Sequence, residues 1–141
     1  MVGCGLREEH RVSEDGANAV QGFRGLRVWY DGIAFAANIY RLTEAFPSHE
    51  MYGLTSQLRR AAVSVPANLA EGNARRGARE YLHFVSIARG SLAEVETYLE
   101  LSLVLNYSDR ERLKPLLDQA AAIGRQLTSL RNTLASRATK P

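Results

Sequence analysis

Six polar residues stand where chemistry between two helices could be done. Gln57, Ser64, Asn68 and Glu71 recur three to seven residues apart, beside an apolar stripe in the stretch Leu54 to Gly72. Ser91 and Glu94 follow on the next segment at a helical spacing. Together they could line a polar site, with Glu71 and Glu94 as an acid and base pair. A carboxylate buried there would be costly unless paired, and Arg60 or Arg89 would be the partner. The reading preferred on physical grounds is plainer. Such residues form a hydrogen-bonded network that sets helix register, caps a kink at Pro66, or joins subunits.

A second group is cationic. Between Tyr52 and Arg89 the chain carries Arg59, Arg60, Arg75, Arg76, Arg79 and Arg89 against only Glu71 and Glu80. Arginine offers forked donors to phosphate oxygens, so Arg59, Arg60, Arg75, Arg76 and Arg79 are candidate contacts to RNA or DNA. The alternative is a solvated face balanced across subunits by Glu94, Glu96 and Glu100. Tyr52 and Tyr81 flank the cluster and could stack on bases, although core packing is the preferred role.

Other chemistries lack their residues. His10, His49 and His83 have no metal-ligand spacing, and the Glu-x-x-His pattern of di-iron bundles is absent. Cys4 is the only cysteine, so neither a disulfide nor a cysteine metal site forms within one chain. No Ser-His-Asp set, phosphate loop or dinucleotide fingerprint appears. The expectation is a non-enzymatic protein without cofactor or metal. The 141 residues carry a net charge of +3 and a pI of about 9.3. No apolar run approaches the roughly 18–20 residues that span a bilayer, and Arg7 to Arg11 interrupt any secretory h-region. A cytoplasmic protein is expected.

The elements that must position these side chains read as helices. Residues 1–22 are polar, Gly-containing and aperiodic, and are expected to be a disordered tail. A first helix is predicted from about Leu26 to Ala45, with Leu26, Trp29, Ile33, Ala36 or Ala37 and Tyr40 on its buried face. Phe46-Pro47-Ser48 stops it. Ser48 then caps a second helix, with Glu50 in its first turn, running to about Arg76 as one long helix kinked at Pro66. Gly77 makes a turn. A third helix follows from about Ala78 to Asn106, burying Tyr81, Phe84 or Val85, Ala88, Leu92, Val95, Leu99 and Leu105, with Tyr98 and Leu101 widening the stripe. Ser108 and Glu111 are spaced as a capping box for a fourth helix, about Asp109 to Ser136. Its seam of Leu113, Leu116, Ala120, Ile123, Leu127, Leu130 and Leu134 alternates by three and four. Four such helices on short connections predict an all-α, antiparallel up-down-up-down four-helix bundle over residues 23–137, with 138–141 fraying.

The order of several motifs resembles the 23S rRNA intervening-sequence proteins. These are Leu26-x-Val28-Trp29, Ile39-Tyr40-x-x-Thr43, Phe46-Pro47, the run Glu50 to Ala61, and Ser64-Val65-Pro66-Ala67-Asn68-Leu69-Ala70-Glu71-Gly72. Ile87 to Ser91, Glu94 and Leu105 to Tyr107 continue the match, which spans about Phe23 to Leu134. Val65 and Leu69 stand where isoleucine is common in that family. The resemblance implies a four-helix bundle assembled as a ring-shaped homopentamer. The family name records genes lying inside insertions in 23S rRNA genes and does not describe an activity. A more distant likeness, to the accessory protein of diversity-generating retroelements, implies a reverse-transcriptase or other protein partner by analogy alone.

Overall fold

A computed structural model describes residues 25–139. The expected tail to Gly22, with Cys4 and His10, lies outside the described residues, as do Lys140 and Pro141. Helix α1 spans Gly25–Thr43, α2 spans Leu54–Ala74, α3 spans Ala78–Val104 and α4 spans Arg110–Ala138, with a short 3-10 turn at Ser48–Glu50. Each helix packs on its chain neighbours and α1 closes against α4. The result is the antiparallel up-down-up-down four-helix bundle, with no strand among the described residues.

The seam of α4 is buried at all seven expected positions, Leu113, Leu116, Ala120, Ile123, Leu127, Leu130 and Leu134. In α3 the stripe Tyr81, Val85, Ala88, Leu92, Val95 and Leu99 is buried, but Leu101 and Leu105 are exposed. Helix α2 stays one helix through Pro66. Pro66 withholds the amide that would reach the carbonyl of Ala62, and its ring rests on Gly32 of α1, where a Cβ would sit 3.4 Å away.

Helix α1 differs from expectation. Its buried face is Val28, Phe35, Ala36 and Ile39, while Ile33 and Tyr40 are exposed and Trp29 is partly buried. Two apolar stripes run along this helix, so periodicity is degenerate between them. The stripe containing Gly32 turns inward, and the Pro66 ring packs on it.

Four of the helix termini also differ. Helix α1 ends at Thr43, whose hydroxyl donates to the carbonyls of Ile39 and Tyr40. Ser48 opens the 3-10 turn and caps nothing; the Leu54 amide of α2 instead donates to Glu50 Oε1 at 3.2 Å. The capping box at Ser108 is absent. Asp109 caps α4 by accepting from the Arg112 amide at 2.8 Å, while Ser108 Oγ is buried without a hydrogen bond. An aspartate one residue nearer the first turn takes the role, since its carboxylate accepts more strongly than a hydroxyl. At its other end α4 continues two residues beyond Ser136, to Ala138.

Helix α3 closes with a Schellman arrangement. Asn106 adopts φ 61°, Tyr107 N donates to Ser102 O and Asn106 N to Leu103 O. That reversal turns Tyr107 back toward Phe46 and Glu50. Gly77, at φ 128°, makes the α2–α3 turn in a conformation that side chains rarely adopt.

Candidate nucleic-acid interface

Three of the six polar candidates meet. Ser64 Oγ and Ser91 Oγ are 2.8 Å apart across the α2–α3 seam, and the Asn68 amide donates to both Ser64 Oγ and Ser64 O at 2.8 Å. The hydroxyls and amide satisfy one another, which suits a register-setting network. Gln57, Glu71 and Glu94 are exposed and stand apart from it. The Ser64–Ser91 contact puts Glu71 level with Phe84 and Glu94 level with Ala61, so the two carboxylates are separated by about 15 Å along the bundle. That distance is too long for an acid and base acting on one bond. Glu71 pairs with neither Arg60 nor Arg89; Arg75, just beyond the end of α2, holds it at 2.6 Å.

The five candidate arginines divide into two groups. Arg59 is half-buried and works inside the subunit, its Nε donating to Thr43 Oγ1 at 2.8 Å and its NH2 to Tyr40 O at 3.3 Å. Its guanidinium also lies 4.6 Å from the Tyr40 ring centroid. A cation against the terminal carbonyls of α1 complements the helix dipole. Arg60 is exposed one residue on. Arg75, just past the end of the same helix, lies fifteen residues further on, about 22 Å away.

Arg75, Arg76 and Arg79 flank the α2–α3 turn and are exposed. The antiparallel register brings further arginines to this end. Gln126 donates to Asp31 at 2.8 Å, and Asn38 to Gln119 at 3.0 Å. Those two bonds place Arg27 beside Leu130 and Arg131. Packing of Gly124 on Leu92 likewise brings Arg137 level with Arg79. Six exposed arginines, Arg27, Arg75, Arg76, Arg79, Arg131 and Arg137, therefore gather within roughly two helical turns of one end. Among the described residues the carboxylates at that level are Glu71, already paired, and Glu80. Arg27, Arg131 and Arg137 were not legible as site residues, because they lie near the two ends of the folded chain and converge only through packing.

Between α3's first turns and Arg75 lies a groove of about 300 Å³ lined by Arg75, Arg79, Glu80, His83 and Phe84. The Arg75 guanidinium sits 5.4 Å from the Phe84 ring centroid, and the His83 ring meets Phe84 edge-on at 5.3 Å. Tyr81 is in the core, where burial pushes its phenol well above the usual range. Tyr52 is 93% exposed and stands at the opposite end of the bundle from the arginines, so it neither packs in the core nor flanks the cluster. No group of His, Cys, Asp or Glu among the described residues is arranged to hold a metal ion. No helix among the described residues is long and apolar enough to cross a membrane.

Fold and surface together define a four-helix bundle with one basic end. The chain belongs to the 23S rRNA-intervening sequence protein family, whose profile matches residues 24–129. It is also similar in structure to a crystallised protein with unknown function from the S23 ribosomal protein family of Bacteroides thetaiotaomicron VPI-5482. That likeness has a TM-score of 0.54 at 22% identity, covering 80% of this chain and 99% of the other, and it concerns the fold. No curated protein matches the chain.

Proposed function

We propose that this protein is a non-enzymatic, oligomeric helical bundle of the cytoplasm that binds RNA or DNA through its basic end, as a ribonucleoprotein accessory. The observation that carries this reading is the convergence of Arg27, Arg75, Arg76, Arg79, Arg131 and Arg137, from α1, the α2–α3 turn, α3 and α4, on one end. Closely spaced cations that outnumber local carboxylates create a field suited to a phosphate backbone. Of the five arginines expected from sequence, Arg75, Arg76 and Arg79 belong to this surface, Arg60 lies outside it, and Arg59 serves the fold.

Exposed apolar surface supports the self-association in this reading. Ile33 and Tyr40 on α1 and Val63 on α2 are exposed apolar residues at 42%, 43% and 43%, beside partly buried Trp29. Covering that flank in a homo-oligomer, with a pentameric ring as the expected form, would repeat the basic end around a common axis. A second reading keeps the oligomer and replaces nucleic acid with a protein partner such as a reverse transcriptase.

Light-scattering mass on a gel-filtration column, with and without a mixed RNA and DNA pool, separates the two. The expected result is an oligomer that carries nucleic acid at low salt and sheds it at high salt. An oligomer that ignores nucleic acid at low salt overturns the binding reading in favour of a protein partner.

A further inference from the structure

We infer that the basic end takes single-stranded rather than duplex nucleic acid, with one base seated in the groove formed by Arg79, Glu80, His83 and Phe84. The inference rests on the nucleic-acid reading above and adds the class of strand and the seat of its base.

The composition of the groove decides what can enter it. A phosphate would meet the Glu80 carboxylate, which lines the groove and has no ion-pair partner among the described residues. Glu71, the other carboxylate nearby, is occupied by Arg75. A neutral heterocycle meets no such penalty. It finds the Phe84 and His83 rings as apolar and π surfaces, a carboxylate that accepts from an exocyclic amine, and guanidinium groups on either side. Arg75 already lies over the Phe84 ring, so cation and aromatic surface are presented together. Its volume of about 300 Å³ accommodates one base.

Phosphates therefore belong outside the groove, along Arg76, Arg137 and the rim residue Arg79, which are exposed and form no ion pair among the described residues. A base can enter the groove while its backbone follows these arginines only when it is unpaired, because a duplex keeps its bases stacked inside. Aromatic seats beside a cationic track are the physical basis of single-strand binding, and each stacked base contributes substantially to affinity.

The test uses the full chain and four fluorescently labelled probes of equal length at one fixed salt concentration. They are a mixed-base DNA single strand, the RNA strand of the same sequence, an abasic strand with the same phosphates, and a DNA duplex. The expected result is tighter anisotropy-detected binding of both base-bearing single strands than of the abasic strand, by about tenfold. His83→Ala and Phe84→Leu should each weaken single-strand binding several-fold while leaving abasic and duplex binding unchanged. Because Phe84 packs against Gly72, Phe84→Leu is read only if its melting curve stays cooperative. The wild-type comparison of base-bearing and abasic strands needs no variant. Equal binding of abasic and base-bearing strands, or preference for the duplex, overturns the base seat and leaves the basic-end reading intact. Failure to bind any of the four overturns both.

Discussion

Tyr107 donates its phenolic hydrogen to Glu50 Oε2 at 2.9 Å, joining residues 57 positions apart, while Glu50 Oε1 receives the Leu54 amide. One carboxylate thus caps α2 and ties the loop after α3 to the loop after α1. His49 Nε2 lies 3.3 Å from the same phenolic oxygen. The Leu54 amide and then the Tyr107 hydroxyl hold the Glu50 carboxyl below its usual range, and the carboxylate in turn pushes the Tyr107 phenol up.

Both shifts predict a two-sided dependence of stability on pH. Glu50 has a folded value below its unfolded one, so its contribution is present above about pH 4.5 and is lost as pH falls through the lowered value. Tyr107 has a raised value, so its contribution is present below about pH 10 and is lost above it. Thermal melts across pH should show Glu50→Gln flattening the acid limb and Tyr107→Phe flattening the alkaline one. Wild-type limbs in both variants would refute the linkage.

Gly72 and Gly90 should respond oppositely to alanine. A Cβ on Gly72 would lie 2.8 Å from Tyr81 Cδ1 and 2.9 Å from Phe84 Cβ. The latter atom is fixed to the backbone, so α2 and α3 must separate. Gly72→Ala is expected to lose about 1–2 kcal/mol after its gain in helix propensity. A Cβ on Gly90 meets nothing within 4 Å, and Gly90→Ala should gain about 0.5–1 kcal/mol. Urea denaturation at constant m-value measures both.

The serine pair predicts non-additivity. Ser64→Ala leaves Ser91, 8% exposed, without its partner and should cost about 1 kcal/mol. Ser64→Ala with Ser91→Ala replaces both hydroxyls by apolar groups and should cost no more than the single change. A double variant weaker by the sum of the two singles would mean that the hydroxyls act independently.

Arg59 and Arg76 should separate folding from binding. Arg59→Ala removes hydrogen bonds to Thr43 and Tyr40 and is expected to lower stability by about 1–2 kcal/mol, with the salt dependence of nucleic-acid binding unchanged. Arg76→Ala should leave the melt unchanged and reduce the slope of log K against log salt by roughly 0.7–0.9. The opposite pattern would place the phosphate surface at the other end of the bundle.

The sequence alone determined the helical class, four helices on short connections, the turn at Gly77 and the complete α4 seam. Those features are local. A three-and-four spacing of leucines specifies a helix face, and Gly77 serves a left-handed turn, whatever the neighbours do. It also marked Ser64, Asn68 and Ser91 as polar residues beside an apolar stripe. Tertiary structure decided what periodicity leaves degenerate or silent. It chose the Val28–Phe35–Ile39 stripe of α1 over Trp29–Ile33–Tyr40, with Gly32 packed on Pro66. It replaced Ser108 by Asp109 as a cap and gave Glu50 the start of α2. It also separated Glu71 from Glu94, assigned Arg59 to the fold and brought Arg27, Arg131 and Arg137 to Arg75, Arg76 and Arg79. A helical repeat describes one helix at a time. The register between helices is set by packing and by bonds such as Asp31–Gln126, between residues remote in the chain, and the basic end exists only once that register is established.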